Sequence, residues 1–206
     1  MEILVIGSCT ARKALDTRNK LKLNDFKDSE RLEKKEEKLK DFSLKAKSMY
    51  TGKQHREIMD GISILRNNFS EDIIDFKIIS AAYGLIDEDY EIVPYEVSFN
   101  NMSAKEIDEW SQTINIKSDF KDVISDYDLI FILLGDNYLR ALQLPLDKID
   151  EDKKIIFLAG KSSSNKIPNF APYYQLKVGQ KDASSFCQGL VWLKGYLFKL
   201  FAWEVK

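Results

Sequence analysis

The chain has 206 residues, of which 44% are hydrophobic and 12% aromatic, and this composition indicates a folded core rather than a disordered or collagen-like chain. Its longest apolar runs are about six residues, against the ~20 that a membrane helix needs, so we expect no membrane span. Two cysteines and one histidine exclude a disulfide scaffold and a histidine-rich metal site. The first residues do not have the pattern of a secretory signal, and a cytoplasmic protein is expected.

Charge is distributed unevenly along the chain, although the net charge is only −2. Residues 11–56 carry a net charge of +7, residues 57–160 carry −13 and residues 161–206 carry +5. A polyanionic partner responds to the local field rather than to the sum, so the two basic ends are compatible with nucleic-acid binding if they meet on one face. The alternative is that lysine-rich surface helices simply lie at both ends.

The N-terminal half contains two apolar runs, Glu2–Ile6 and Phe76–Ser80, which predict buried strands. Between them, residues 17–47 are densely charged with a weak apolar stripe, and this segment is predicted to be a solvated helix or a mobile insertion. Gln54–Asn68 has apolar residues at helical spacing and predicts an amphipathic helix. Residues 86–102 show no periodicity and predict a loop.

The C-terminal half predicts further helices and strands in alternation. Ser103 has the position of an N-cap, with Glu106 at the capping-box spacing, and the helix is expected to run through Ile114. Two apolar runs predict strands, and three other segments predict helices: the strands are Asp128–Leu134 and Lys154–Leu158, and the helices are Phe120–Ser125, Tyr138–Leu144 and Ser184–Trp203.

Apolar strands that alternate with helices predict one α/β domain over residues 1–206, a three-layer sandwich whose mainly parallel central sheet has about four or more strands. Each predicted strand ends in small or polar residues, at Gly7-Ser8, Ser80-Ala81, Gly135-Asp136 and Gly160-Lys161. Ligands bind outside the carboxyl ends of such strands, so these turns predict a site at one edge of the sheet. The alternative is that glycine and serine serve there only as turn residues.

Common catalytic motifs are mostly absent. Gly160-Lys161-Ser162 matches the last three positions of a P-loop, but the glycine required five residues earlier is Ile155, which argues against a Walker-type NTPase. Cys9 follows a strand and could be a nucleophile with His55 as its imidazole partner, or it could be a buried thiol.

The most distinctive stretch is Ile79–Ile86 (ISAAYGLI), followed by Pro94-Tyr95-Glu96 and a helix that contains Trp110. Together with the Gly7-Ser8-Cys9 turn, it resembles an uncharacterised group of small bacterial and phage proteins with an SA-x-YGL turn and a PY-acid loop. That group is similar in layout to the uracil-DNA-glycosylase-like superfamily, which includes nucleobase-processing domains of archaeosine synthases and a small anti-phage DNA glycosylase. The Gly-Gln-Asp-Pro-Tyr-His motif of true uracil glycosylases is absent here.

The resemblance implies a uracil-DNA-glycosylase-like fold and an enzyme that cleaves the N-glycosidic bond of a modified nucleobase, with DNA as partner and antiviral defence as a role. A carboxylate would stabilise the oxocarbenium-like sugar, and we assign this role to Glu96 and Asp136. Other residues would hold the extruded nucleotide, and these are Gly7, Ser8, Cys9, Thr10, Tyr83, Tyr95, Gly135, Gly160, Lys161 and Ser162. Lysines would neutralise backbone phosphates, and these are Lys13, Lys161 and Lys181.

This chemistry requires no metal and no cofactor, and two other functions stay open. One is a non-catalytic nucleotide- or nucleic-acid-binding sensor, and the other is an enzyme acting on free nucleosides, similar to deoxyribosyltransferases. Residues 180–184 precede the last predicted helix, where Asp182 or Ser184 would cap it and leave an anion site. Tyr173, Tyr174 and Trp192 are candidate stacking platforms for bases.

Overall fold

The computed structural model describes residues 2–15 and 17–205. Its strands, in chain order, are β1 (Ile3–Ser8), β2 (Leu21–Lys22), β3 (Leu44–Lys45), β4 (Ile74–Ser80), β5 (Gly84–Asp87), β6 (Glu91–Ile92), β7 (Tyr95–Glu96), β8 (Leu129–Ile132), β9 (Lys154–Ala159) and β10 (Tyr173–Lys177). Its α-helices are α1 (Ser29–Leu39), α2 (Ala46–Met49), α3 (Lys53–Asn68), α4 (Ala104–Thr113), α5 (Ile116–Ile124), α6 (Asp136–Ala141), α7 (Gln180–Ser185) and α8 (Leu190–Glu204).

A six-stranded sheet in the order β10-β9-β8-β1-β4-β5 forms the centre of the fold. Neighbouring strands from β10 to β4 are parallel, and β5 pairs antiparallel with β4 at one edge. The strand β1 is continuously apolar from Ile3 to Ile6 because both faces of this central strand are covered. The predicted mixed α/β fold with a mainly parallel sheet is confirmed, and the helices packed on the sheet are consistent with a three-layer sandwich.

Helices α3 and α8 pack closely against each other, and two glycines permit the contact. A Cβ on Gly61 would lie 2.9 Å from the Phe198 ring, and a Cβ on Gly195 would lie 2.6 Å from the backbone oxygen of Gln54. Phe198 in turn packs against Phe131 of β8, with ring centroids 5.5 Å apart, so this helix pair covers the sheet.

The predicted helices agree with the structure best where local capping is strong. The capping box of Ser103 and Glu106 starts α4 as expected. The start of the predicted Ser184–Trp203 helix, however, is wrong, although α8 confirms the helix from Leu190 onward: α7 ends at Ser185, Cys187 has a φ of 52°, and α8 begins after Gly189. Asp182 therefore caps the short α7, where it accepts a hydrogen bond from the Gly179 amide at 2.8 Å, and it does not cap the final helix.

The predicted loop over residues 86–102 is also corrected, because it holds β6, β7, the end of β5 and a 3-10 helix, Phe99–Asn101. This segment forms strands because it pairs with short strands that are distant in sequence: β7 pairs with β2, and β6 pairs with β3. Strand β10 gave no apolar run because it is an edge strand of the sheet with several exposed side chains, including those of Tyr174 and Leu176.

The charged segment 17–47 contains the predicted helix as α1, which begins at the N-cap Asp28. This segment is tied to the rest of the chain through β2 and β3 and through the buried side chain of Leu39. Among the described residues, no helix combines the length and the apolar character that crossing a membrane would require.

Candidate functional site

A cavity of about 470 Å³ lies at the carboxyl ends of β1, β8 and β9. Three of the four predicted strand-end turns meet there, since parallel strands present their carboxyl ends at one edge of a sheet. The turns contribute Ser8, Cys9, Thr10, Gly135, Asp136, Gly160 and Ser162. The fourth turn, Ser80-Ala81, does not line this cavity because the chain there turns back from β4 into the antiparallel β5.

Asp136 is the carboxylate of this cavity. It is the first residue of α6, with Gly135 as the N-cap, so it does not itself cap the helix. Both of its oxygens accept hydrogen bonds from Lys166 Nζ at 2.8 Å, and Oδ1 accepts one from the Ser163 hydroxyl at 3.0 Å. Partial burial raises the pKa of Asp136, but these hydrogen bonds outweigh burial and lower the pKa below its ordinary value. The carboxylate is therefore ionised at neutral pH.

Lys194 enters the same cavity from α8. Its side chain is buried, and its ammonium group donates a hydrogen bond to the backbone oxygen of Leu134. Burial lowers the pKa of Lys194 to about 8, and the nearby Asp136 charge offsets part of that effect. An anionic carboxylate and a buried amine with a lowered pKa thus line one cavity.

The thiol of Cys9 is buried at the cavity wall, where its Sγ lies 3.0 Å from the Tyr138 hydroxyl. His55 is buried elsewhere, and its Nε2 lies 2.9 Å from the backbone oxygen of Lys47. Burial lowers the pKa of His55, so the imidazole is neutral at pH 7. The structure does not pair Cys9 with His55, and the hypothesis of a Cys–His nucleophile is therefore wrong for this geometry.

Tyr95 lies behind the cavity in a buried hydroxyl network. Its Oη is 2.6 Å from Tyr50 Oη and 2.9 Å from Ser80 Oγ. Burial raises the pKa of Tyr50 and Tyr95 well above the ordinary tyrosine value, so the network is neutral. Because the Tyr95 side chain is buried in this network, it does not offer a face on which a base could stack.

Glu96 and Tyr83 do not line the cavity. Glu96 is exposed on β7, whose backbone pairs with Lys22, and this corrects its expected position beside Asp136. The Tyr83 hydroxyl donates a hydrogen bond to Glu36 at 3.0 Å, away from the cavity.

Gly7 immediately precedes the first lining residue, Ser8, and does not itself line the cavity. A Cβ on Gly7 would lie 3.1 Å from the Phe76 ring, so the glycine allows β1 to pack closely against that ring.

The predicted phosphate-binding lysines also lie outside the cavity lining. Lys161 and Lys181 are exposed, and Lys13 places its Nζ 4.2 Å from the centroid of the Tyr95 ring.

Of the predicted aromatic platforms, Trp192 lines the cavity, and the Lys53 ammonium group lies over its ring at 4.4 Å from the centroid. Tyr173 is buried, and its hydroxyl accepts the Leu146 amide at 2.9 Å, so it is a structural residue.

Several lining residues were not predicted, and these are Ala11, Arg12, Gly52, Lys53, Gln54, Asn100, Tyr138, Ser163, Val178, Leu190 and Lys194. Gln54 belongs to the first turn of α3, where its side-chain amide donates to the Leu133 oxygen at 2.7 Å and links this helix to the end of β8. A signal that could have identified Lys194 is its place in α8, a helix that is apolar at most other positions, because a lysine that such a helix buries needs a polar partner.

The fold and the cavity define a mixed α/β protein with a pocket at the carboxyl edge of its sheet. Residues 34–167 match a family of unknown function, DUF6884, and because this match covers more than half of the chain, the chain belongs to that family. A comparison with curated proteins finds no match. The matched range includes Asp136 and Lys166, while the β1 turn and Lys194 lie outside it.

Proposed function

We propose that this chain is a DNA-glycosylase-like enzyme that takes an extruded nucleotide into the strand-end cavity and hydrolyses its N-glycosidic bond. The observation that carries the proposal is the juxtaposition of an ionised carboxylate, Asp136, and a buried amine, Lys194, in one cavity. The similarity in layout to uracil-DNA-glycosylase-like proteins belongs to the same proposal, and it rests on the motifs given above.

The size and lining of the cavity suit a nucleotide. A volume of about 470 Å³ falls in the range of small-molecule sites, which is roughly 300–1,000 Å³. The Trp192 residue at its wall is 39% exposed and provides aromatic surface for contact with an unstacked base. Basic segments at both ends of the chain favour a nucleotide within a polymer over a free nucleoside.

The two charged groups match the charges that develop in this reaction. As the glycosidic bond breaks, positive charge grows on the sugar and negative charge on the departing base. The Asp136 carboxylate stabilises the sugar cation or directs a water molecule to it, and its salt bridge with Lys166 fixes its orientation. The protonated Lys194 is placed to stabilise the leaving base. This scheme uses no metal and no cofactor.

The test compares the two carboxylates that the sequence put forward, Glu96 first and Asp136 second. Purified Asp136→Asn and Glu96→Gln variants are incubated with genomic DNAs that carry different base modifications, and freed bases and abasic sites are measured. We expect Asp136→Asn to lower base release ~10²- to 10⁴-fold and Glu96→Gln to leave it unchanged. Thermal melting of both variants checks that the fold is retained. Full activity in Asp136→Asn would reject the proposal.

A second candidate is a non-catalytic nucleotide sensor, and one contact favours it. Lys166 lies against both oxygens of Asp136, which reduces the acceptor capacity left for substrate or water. Calorimetric titration with nucleotides and modified oligonucleotides distinguishes the two: tight binding without base release from any of the DNAs would favour the sensor.

A further inference from the structure

We propose that a second, strongly basic groove binds the phosphate backbone of the DNA strand whose target nucleotide occupies the cavity. The groove has a volume of about 640 Å³, and its cationic lining residues are Arg18, Lys20, Lys22, Arg31, Lys35 and Lys38. This inference rests on the proposed function for the identity of the strand, and it assigns a binding site for phosphodiesters to a different part of the molecule.

The groove concentrates positive charge. Six of its ten described lining residues are lysine or arginine, and none of the ten is a carboxylate. Among the described residues, Arg18, Lys22 and Lys38 form no ion pair with a carboxylate. Like charges at this density repel one another, and a polyanion in the groove would relieve that repulsion.

Local structure explains how the cations come together. Arg31, Lys35 and Lys38 lie at spacings of four and three residues on α1, which places them on one face of the helix. The other three cations of the groove are Arg18 and Lys20, which precede β2, and Lys22, which belongs to β2. Pairing of β2 with β7 holds that segment against the rest of the fold, so the two halves of the groove have a fixed relation.

A single buried carboxylate, Asp25, fixes the base of the groove. It is fully buried, and it lies 2.6 Å from Arg31 Nε and 2.9 Å from Lys35 Nζ. It also accepts the Lys22 amide at 2.8 Å. Asp25 pairs with two of the six cations, and Arg18, Lys22 and Lys38 form no ion pair with a carboxylate among the described residues, so the groove keeps positive charge where it faces solvent.

Two features indicate a nucleic-acid strand rather than a small anion. The Phe42 ring also lines the groove and is 41% exposed, which provides a stacking surface for an unpaired base beside the cations. In addition, Arg12 lines the cavity and Thr17 lines the groove, and the five residue-to-residue steps from Arg12 to Thr17 can span at most about 18 Å. A strand held in the groove can therefore reach the cavity within a few nucleotides.

The test measures binding of a fluorescein-labelled 15-nucleotide single-stranded DNA by anisotropy at several NaCl concentrations. The variant is Lys22→Gln/Lys38→Gln, and the matched control is Lys121→Gln/Lys154→Gln, which removes two exposed charges that line neither the cavity nor the groove. We expect the groove variant to bind about tenfold more weakly at low salt, with a log–log salt slope shallower by about 1.4, and the control to bind like the wild type.

Arg18→Gln provides a second variant with one charge removed, and its slope should change by about half as much. An unchanged slope in all groove variants would overturn the inference. Equal affinity of the wild type for a polyglutamate peptide of matched charge would overturn it as well and would assign the groove to an acidic protein. Base release that persists while the groove variants bind normally rejects only the groove, whereas groove-dependent DNA binding without base release rejects only the glycosylase.

Discussion

Lys166 places its ammonium group 2.8 Å from each carboxylate oxygen of Asp136 and thereby links the turn after β9 to the turn after β8. Lys166 ends the 3-10 helix Lys161–Lys166, and Asp136 begins α6, so the ion pair joins two separate strand ends at the cavity wall. The side chains are 22% and 46% exposed, and the pair therefore contributes little to stability. Its main consequence is chemical: it keeps the carboxylate charged and oriented.

Replacing Lys166 with methionine should change the pH dependence of base release. Without the ammonium group, the pKa of Asp136 rises, so the carboxylate is lost at a higher pH than in the wild type. We expect the acidic limb of the profile of kcat/KM against pH to move to higher pH, with a smaller effect above neutrality. Lys161→Met removes an exposed neighbouring lysine and serves as the control. An identical acidic limb in both variants would show that Asp136 does not titrate in the rate-limiting step.

The buried charge of Lys194 should lower the free energy of unfolding. Because its folded pKa is about 8, below the ordinary lysine value of 10.5, the folded state binds fewer protons than the unfolded state between these two pH values. Stability therefore rises with pH across this window, and below pH 8 the buried charge costs about 3 kcal/mol.

We expect Lys194→Met to stabilise the fold by about 2 kcal/mol at pH 7 while reducing base release. Urea denaturation at pH 7 and pH 10 measures the effect, and the advantage of the variant should shrink at the higher pH. A variant less stable than the wild type at pH 7 would show that the hydrogen bond to Leu134 outweighs the cost of desolvation.

The sequence predicted the cavity from its parallel strands but not all of its residues. Ser8, Gly135 and Gly160 lie at or just after the ends of apolar runs that form parallel strands. The carboxyl ends of parallel strands lie at one edge of the sheet, whatever the structure of the segments that connect them. Glu96 was misplaced because a two-residue pairing between β7 and β2 determines its position, and short pairings between distant segments leave no periodic signal. Tyr95 was assigned to stacking because a sequence does not reveal that its hydroxyl completes a buried network with Tyr50.

The close contact between α3 and α8 should not tolerate a side chain at Gly195. A Cβ there would lie 2.6 Å from the Gln54 backbone oxygen, which cannot move without shifting the whole helix. We expect Gly195→Ala to destabilise the fold by about 2 kcal/mol and to lower the Tm by roughly 4–8 °C.

Gly135→Ala is the matched control for this measurement, because a Cβ at Gly135 meets nothing within 4 Å and its φ of −76° suits any residue. Equal melting temperatures for the two variants would mean that the helices separate at no cost. Since Gln54 and Lys194 flank the contact, Gly195→Ala should also weaken nucleotide binding.

The buried carboxylate of Asp25 should make the free energy of unfolding depend on pH in the acidic range. Burial raises its pKa, but the hydrogen bonds from Lys35 and from the Lys22 amide, with the charges of Lys35 and Arg31, lower it overall. A carboxyl whose folded pKa lies below its unfolded value of about 3.9 stabilises the fold above that pH, and the stabilisation is lost as the pH falls through the folded pKa. We therefore expect Asp25→Asn to cost about 2 kcal/mol at pH 7, with the difference from the wild type shrinking below about pH 4.

Asp89→Asn is the control for this prediction. Hydrogen bonds from Lys47 and Lys45 also lower the pKa of Asp89, but this carboxylate is half exposed, so its loss should cost little. Urea denaturation of both variants at pH 7 and pH 3.5 gives the comparison, and equal losses at pH 7 would mean that the burial of Asp25 adds nothing to its ion pairs.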